Sequence, residues 1–229
     1  MEFKPFDINA NSNPHFKIAV DFICSEFRIE EIVETGTYNG LGSTKVFCEA
    51  GLKCGATVQS IECSESNVLE ARKNLRQFNN VDIIHGLSVS KQNAIEWMEQ
   101  NLKIPPLGIG LDYDLPAVTN TAQGESQYMK MLYHSYVNEI SEKVPRENVL
   151  PELINNRIKQ LIFLDSAGGI GFYEFKKCIM ALTPKFLSSK ILMIDDVNRI
   201  KHYRTAEYLE QEGFCVNYDR SQRLIWCKF

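Results

Sequence analysis

The chain has 229 residues and a mass of 26.2 kDa, enough for one core of ordinary size and short for two independent ones. A hydrophobic fraction of 44% with 24% charged residues excludes disorder and collagen-like repeats, and no apolar run approaches the roughly 20 residues of a membrane span. Twenty-five Lys and Arg against 29 Asp and Glu leave a net charge of −4, so neither a nucleic-acid backbone nor an anionic membrane is an expected partner.

The opening stretch MEFKPFDINANSNPHF has no apolar segment ending in a cleavage site, so no secretory signal is read there and the chain is expected to stay in the cytoplasm. Seven scattered cysteines, mostly in apolar runs such as DFICSEF, are expected to be buried thiols. Phe16, Ala19, Val20, Ile23 and Phe27 share a helical face, and EEIVETG has the length and β-branching of a buried strand. A glycine-bearing turn, a helix over Ser43 to Ala50, a strand ATVQSIEC and a helix from Glu65 to Phe78 follow. Then come a strand VDIIHG and a helix across Asn93 to Gln100. Beyond an interruption, the strands KQLIFLD and KILMIDD flank the helix FYEFKKCIMAL. GFCVNYD and RLIWCKF close the chain as an antiparallel hairpin. This alternation predicts a Rossmann-like, doubly wound α/β domain over residues 1–229, with a mostly parallel seven-stranded sheet.

The interruption, residues 104–156, is far longer than a crossover needs. Met129, Leu132, Tyr133, Tyr136, Val137 and Ile140 recur within it at helical spacing. A helical insertion before strand four is expected, either as a cap over a substrate pocket or as a contact that makes a homo-oligomer.

ETGTYNGLGST, Glu34 to Thr44, joins a buried strand to a helix, where a nucleotide-like ligand can lie against backbone and unpaired helix N–H groups. Glu62 ends the next strand at the place of a ribose-binding carboxylate. Glu34, two residues before Gly36, would oppose a pyrophosphate and suit the cationic S-adenosylmethionine. The glycine spacing also departs from the dinucleotide pattern.

Through ETGTYNG, SIECS, HGLS and LIFLD the sequence resembles class I S-adenosylmethionine-dependent methyltransferases. It is similar in particular to small-molecule O-methyltransferases of the catechol, sugar and antibiotic type. The resemblance implies that Glu34, Gly36, Thr37, Tyr38 and Gly40 line the methionine end of the cofactor. Glu62 would hold the ribose, Gly86, Leu87 and Ser88 would border the adenine, and Asp165 would stand close by. Ser88 as an ordinary helix cap is the plainer alternative.

Asp165 ends LIFLD, and Asp195 and Asp196 end ILMIDD. Three carboxylates on one rim repel unless a cation lies among them, and Mg²⁺ favours such oxygen ligands. The catechol-type enzymes hold a metal with similar residues, but their lysine base just after the first Asp is replaced here by DSAGG, with Gly168 and Gly169. Lys201, His202 and Arg204 are then the candidates to deprotonate or position a hydroxyl. The expected activity is methyl transfer to an oxygen of a small-molecule acceptor. The rivals are an NAD or nucleotide-sugar oxidoreductase and a cofactor-binding scaffold without catalysis.

Overall fold

The computed structural model describes residues 14–101, 134, 137–138, 140, 143–166, 170–182, 189–197, 201–202, 205–218 and 225–228. In chain order the first half holds α1 (Pro14–Glu26), β1 (Glu31–Thr35), α2 (Ser43–Cys54), β2 (Thr57–Glu62), α3 (Glu65–Asn74), β3 (Val81–His85) and α4 (Lys91–Asn101). The second holds α5 (Val149–Leu153), β4 (Gln160–Leu164), α6 (Gly171–Ala181), β5 (Lys190–Ile194), α7 (Thr205–Gln211), β6 (Val216–Tyr218) and β7 (Ile225–Lys228). The strands form one seven-stranded sheet in the order β3-β2-β1-β4-β5-β7-β6. The first five are parallel, and β7 runs antiparallel to both β5 and β6. This is the doubly wound arrangement with a terminal hairpin that the alternation predicts.

Successive side chains of a strand point to opposite faces, so each central strand feeds two cores. Ile32, Val58, Leu161, Phe163, Ile191 and Met193 face α1, α2 and α3. There Phe16, Phe47 and Phe163 meet at ring separations of 5.2 to 5.8 Å. Val33, Ile162, Leu164, Leu192 and Ile194 face α5, α6 and α7. Burial of each such side chain contributes about 1.5 to 3 kcal/mol. A third cluster of Leu87, Val89, Ala94, Met98, Ile140 and Ile170 lies where β3 and α4 approach the start of α6.

Some elements differ from the sequence reading. α3 stops at Asn74, with Leu75 as its C-cap, because Asn79 and Asn80 favour the turn into β3; Phe78 still packs on the core from that turn. α7 was not foreseen, being seven residues with little periodic signal. All seven cysteines are free thiols, but only Cys24, Cys48, Cys178 and Cys227 are buried, and Cys215 is exposed.

Met129, Leu132, Tyr133 and Tyr136 of the expected insertion lie outside the described residues. Val137 and Ile140 are helical and pack on the third cluster, Ile140 within it and Val137 beside it. The end of the stretch clips to the tip of β3: Leu87 N donates to Arg146 O (3.0 Å), Val149 N to Leu87 O (3.1 Å) and Leu150 N to Ser88 O (2.9 Å).

Candidate active site

The chain runs outward from β1 to β2 and β3, then returns to place β4 on the other side of β1. At such a reversal the loops leaving neighbouring strands diverge and open a crevice at their C-terminal ends. The glycine loop, Glu62, Asp165 and the Asp195–Asp196 pair all follow strands that end there.

In the glycine loop Gly36 has φ +89°, and a Cβ there would come 2.6 Å from Asp165 O. Gly40 has φ +78°, and a Cβ would meet Leu75 Cδ1 at 2.8 Å. Both glycines therefore serve the protein's own close packing, the first against the end of β4 and the second against α3. Tyr38, also in the left-handed region at φ +52°, is 66% exposed.

Glu34 lies beneath the loop rather than at its outer surface. It is fully buried, accepts hydrogen bonds from Ser43 Oγ of α2 and from Ser60 Oγ of β2 (2.6 Å), and Ser60 in turn meets Thr37 Oγ1 at 2.6 Å. Burial pushes its carboxyl up to about 7, against the opposing effect of these hydroxyls, and Asp165 adds a smaller push in the same direction. The expectation that Glu34 faces the ligand fails because residues 32 and 34 point into the α2 side of the sheet. The charge objection to a dinucleotide falls with it.

Glu62 sits at the crevice as expected and is nearly buried. Its Oε2 accepts from Tyr38 N (2.7 Å) and its Oε1 from Ser64 N (2.9 Å), two backbone donors that fix the carboxylate between the glycine loop and the start of α3. Asn67 Nδ2 (3.5 Å) and Cys63 Sγ (3.8 Å) also approach Oε1, so of the roughly four acceptor positions of a carboxylate the one left open is on Oε2, facing the glycine loop. At the tip of β3 the picture is different. A Cβ on Gly86 would meet Arg146 O at 2.9 Å, Leu87 belongs to the third cluster, and Ser88 donates its hydroxyl to Glu174 rather than capping a helix.

At the other rim, Asp165 and Asp196 come together around a lysine. Lys201 Nζ lies 2.8 Å from Asp165 Oδ1 and 3.0 Å from Asp196 Oδ2. Burial alone would lower its pKa, yet the two carboxylates outweigh that and hold the ammonium above its ordinary value. Lys201 is thus held as a cation between the two carboxylates. Asp195 turns its Oδ1 to Asp196 N (2.7 Å). Among the described residues no three His, Cys, Asp or Glu side chains converge as a metal site. The expected Mg²⁺ ligands do not fit a divalent ion as they stand, because an ammonium already lies between two of them.

His202, the neighbouring candidate, is fully enclosed. Its Nδ1 meets Thr205 Oγ1 at 3.2 Å, and its ring lies so close to Gly171 that a Cβ there would come within 2.4 Å of Nε2. Burial, and then the Lys201 charge, hold the imidazole neutral. Arg204, Gly168 and Gly169 lie outside the described residues.

Glu174 of α6 is the site residue that the sequence reading missed. It is fully buried and collects Ser88 Oγ, Ser166 Oγ (2.7 Å) and, more weakly, Thr35 Oγ1 (3.4 Å), so it ties the ends of β1, β3 and β4 together. Burial raises its carboxyl above the ordinary range. A signal was present: Glu174 shares the buried face of α6 with Gly171, Phe175 and Cys178, and a charged residue on an apolar stripe is rarely accidental.

No family model and no curated protein matches the sequence. Solved structures do. The SAH-bound methyltransferase PaMTH1 of Podospora anserina is 14% identical over 95% of this chain and 79% of that one, with a TM-score of 0.54. An O-methyltransferase from Bacillus cereus in complex with SAH is 14% identical over 97% and 84%, with a TM-score of 0.51. The O-methyltransferase TomG of Streptomyces achromogenes, in complex with SAM and involved in tomaymycin synthesis, is 12% identical over 95% and 80%, with a TM-score of 0.50. At such identities the likeness is one of fold: the chain has the Rossmann-like fold of class I S-adenosylmethionine-dependent methyltransferases.

Proposed function

We propose that the protein transfers a methyl group from S-adenosylmethionine to a hydroxyl oxygen of a small molecule. The observation that carries this reading is Glu62, a carboxylate aimed by two backbone N–H groups beside the glycine loop of a class I methyltransferase fold. Glu62 would hold the ribose hydroxyls, and the backbone of Gly36, Thr37 and Tyr38 would border the methionine end. Asp165, whose side chain is 23% exposed, is the rim carboxylate most open to an acceptor. In the transfer, the acceptor oxygen forms a bond to the methyl carbon as the carbon–sulfur bond breaks. The hydroxyl proton passes to Asp165, leaving the methyl ether and S-adenosylhomocysteine (SAH). No covalent enzyme intermediate is needed, so the residues act by alignment and charge.

Val137 and Ile140 are turned into the protein's own third cluster, which favours the cap over the subunit contact for this part of the 104–156 stretch. Calorimetry with SAH tests the cofactor reading. Binding is expected, and Glu62→Ala is expected to weaken it by about 1 to 3 kcal/mol, the cost of unmatched hydroxyls. Because the buried Glu34 no longer argues against a dinucleotide, NAD is titrated in parallel; heat with NAD and none with SAH would replace this reading by the oxidoreductase one.

A further inference from the structure

We infer that Lys201 is a built-in counter-cation that stands in place of a divalent metal ion between Asp165 and Asp196, so that the acceptor rim works without bound metal. The inference rests on the methyltransferase reading only for the word acceptor; the cation site itself is a matter of geometry.

Two carboxylates at the ends of adjacent parallel strands form half of an oxygen-ligand set, and each needs a positive partner when taken out of water. Lys201 supplies it with contacts of 2.8 and 3.0 Å. This lysine does not swing in from the surface. Its carbonyl accepts from Phe172 N at 2.7 Å, the next residue's carbonyl accepts from Thr205 N at 2.8 Å, and His202 is wedged against Gly171, where only a glycine leaves room. The backbone on which the ammonium stands is therefore pinned to the starts of both α6 and α7. The other partner is shaped for the same contact. Asp196 adopts φ +58°, a left-handed conformation that Asp tolerates better than most residues, and its own N–H is held by Asp195 Oδ1. That bond takes up one of the two Asp195 carboxylate oxygens within the turn itself. A metal entering here would have to displace an ammonium whose support is distributed over two helices.

The test is Mn²⁺ uptake by the full chain, read by the loss of the free-ion paramagnetic resonance signal, with and without SAH. Wild type is expected to leave the free-ion signal unchanged, and Lys201→Arg, which keeps a cation, to behave alike. Lys201→Ala is expected to take up Mn²⁺ with affinity about tenfold or more above wild type, since the vacated space is bordered by hard oxygen ligands. Adding Asp196→Asn to it should abolish the gain. Mn²⁺ uptake by wild type that Asp165→Asn removes would overturn the inference. So would a Lys201→Ala variant that binds SAH normally and takes up no Mn²⁺. Should Lys201→Ala not fold, the wild-type and Lys201→Arg titrations decide alone. Failure of wild type to bind SAH would sink the methyltransferase reading and leave the Mn²⁺ result standing.

Discussion

Two carboxylate sites lie within one sheet, one fully enclosed and one at its rim, and they are compensated in opposite ways. Beneath the glycine loop, Glu34 meets only hydroxyls, those of Ser43 and Ser60, and burial drives it toward the protonated form. At the rim, Asp165 and Asp196 meet the ammonium of Lys201 instead. The difference separates a brace within the core from a charged rim. An acid held by hydroxyls fastens β1, β2 and α2 in either protonation state, whereas the rim carboxylates face a lysine ammonium.

The comparison breaks most visibly at Lys201. Lys201→Ala strands two carboxylates and is expected to lower unfolding stability by about 3 to 5 kcal/mol, measured by denaturant titration in the absence of divalent ions. A loss below about 1 kcal/mol would mean that the rim is solvated and the contrast with Glu34 is false.

Gly36 is the seam between the two sites, since its backbone lies against Asp165 O. Gly36→Ala meets both a left-handed φ and a 2.6 Å contact, for an expected cost of about 2 to 5 kcal/mol. Its melting midpoint should fall together with SAH affinity.

Glu34 sharpens the contrast through pH. Its folded carboxyl at about 7 lies above the ordinary 4.5, so between those values the folded state holds a proton that the unfolded state has released. Stability therefore declines as pH rises through that window, by about 3 kcal/mol at roughly 1.4 kcal/mol per unit. The decline is complete above pH 7 and absent below 4.5. In Glu34→Gln, which cannot ionise, the melting midpoint should show much less of this slope. An unchanged slope would assign it to other groups.

The smallest effect is expected at the exposed pair Lys53–Asp21. Lys53→Ala should change stability by less than about 1 kcal/mol, which sets the scale against which a buried ion pair is judged.

The order of elements was legible because strand and helix periods differ and alternate cleanly, and adjacent strand ends correctly brought Asp165 and Asp196 to one rim. Glu62 was legible from its distance beyond the glycines. Glu34 was misplaced for a simple reason: alternation along β1 puts it on the same face as Ile32, and motif spacing ignores faces. The Lys201 contact was not legible, because the direction of that side chain depends on the left-handed turn at Asp196 and on the docking of residues 201–202 against α6. Neither leaves a periodic trace. Glu174 is readable as a charge on the apolar stripe of α6.

The clip between residues 146–150 and the tip of β3 has a consequence for how this chain tolerates change. Ala94 and Met98 of α4 and Ile140 join one apolar cluster, with Val137 and Val144 packed against it, so the chain on both sides shares one anchorage with the tip of β3. The entropy of joining two fixed points by a chain segment grows by only about 0.6 kcal/mol for each doubling of the segment's length. Lengthening the chain between α4 and Val137 should therefore leave the seven-stranded sheet in place, so this is the part of the sequence at which length can change without refounding the fold.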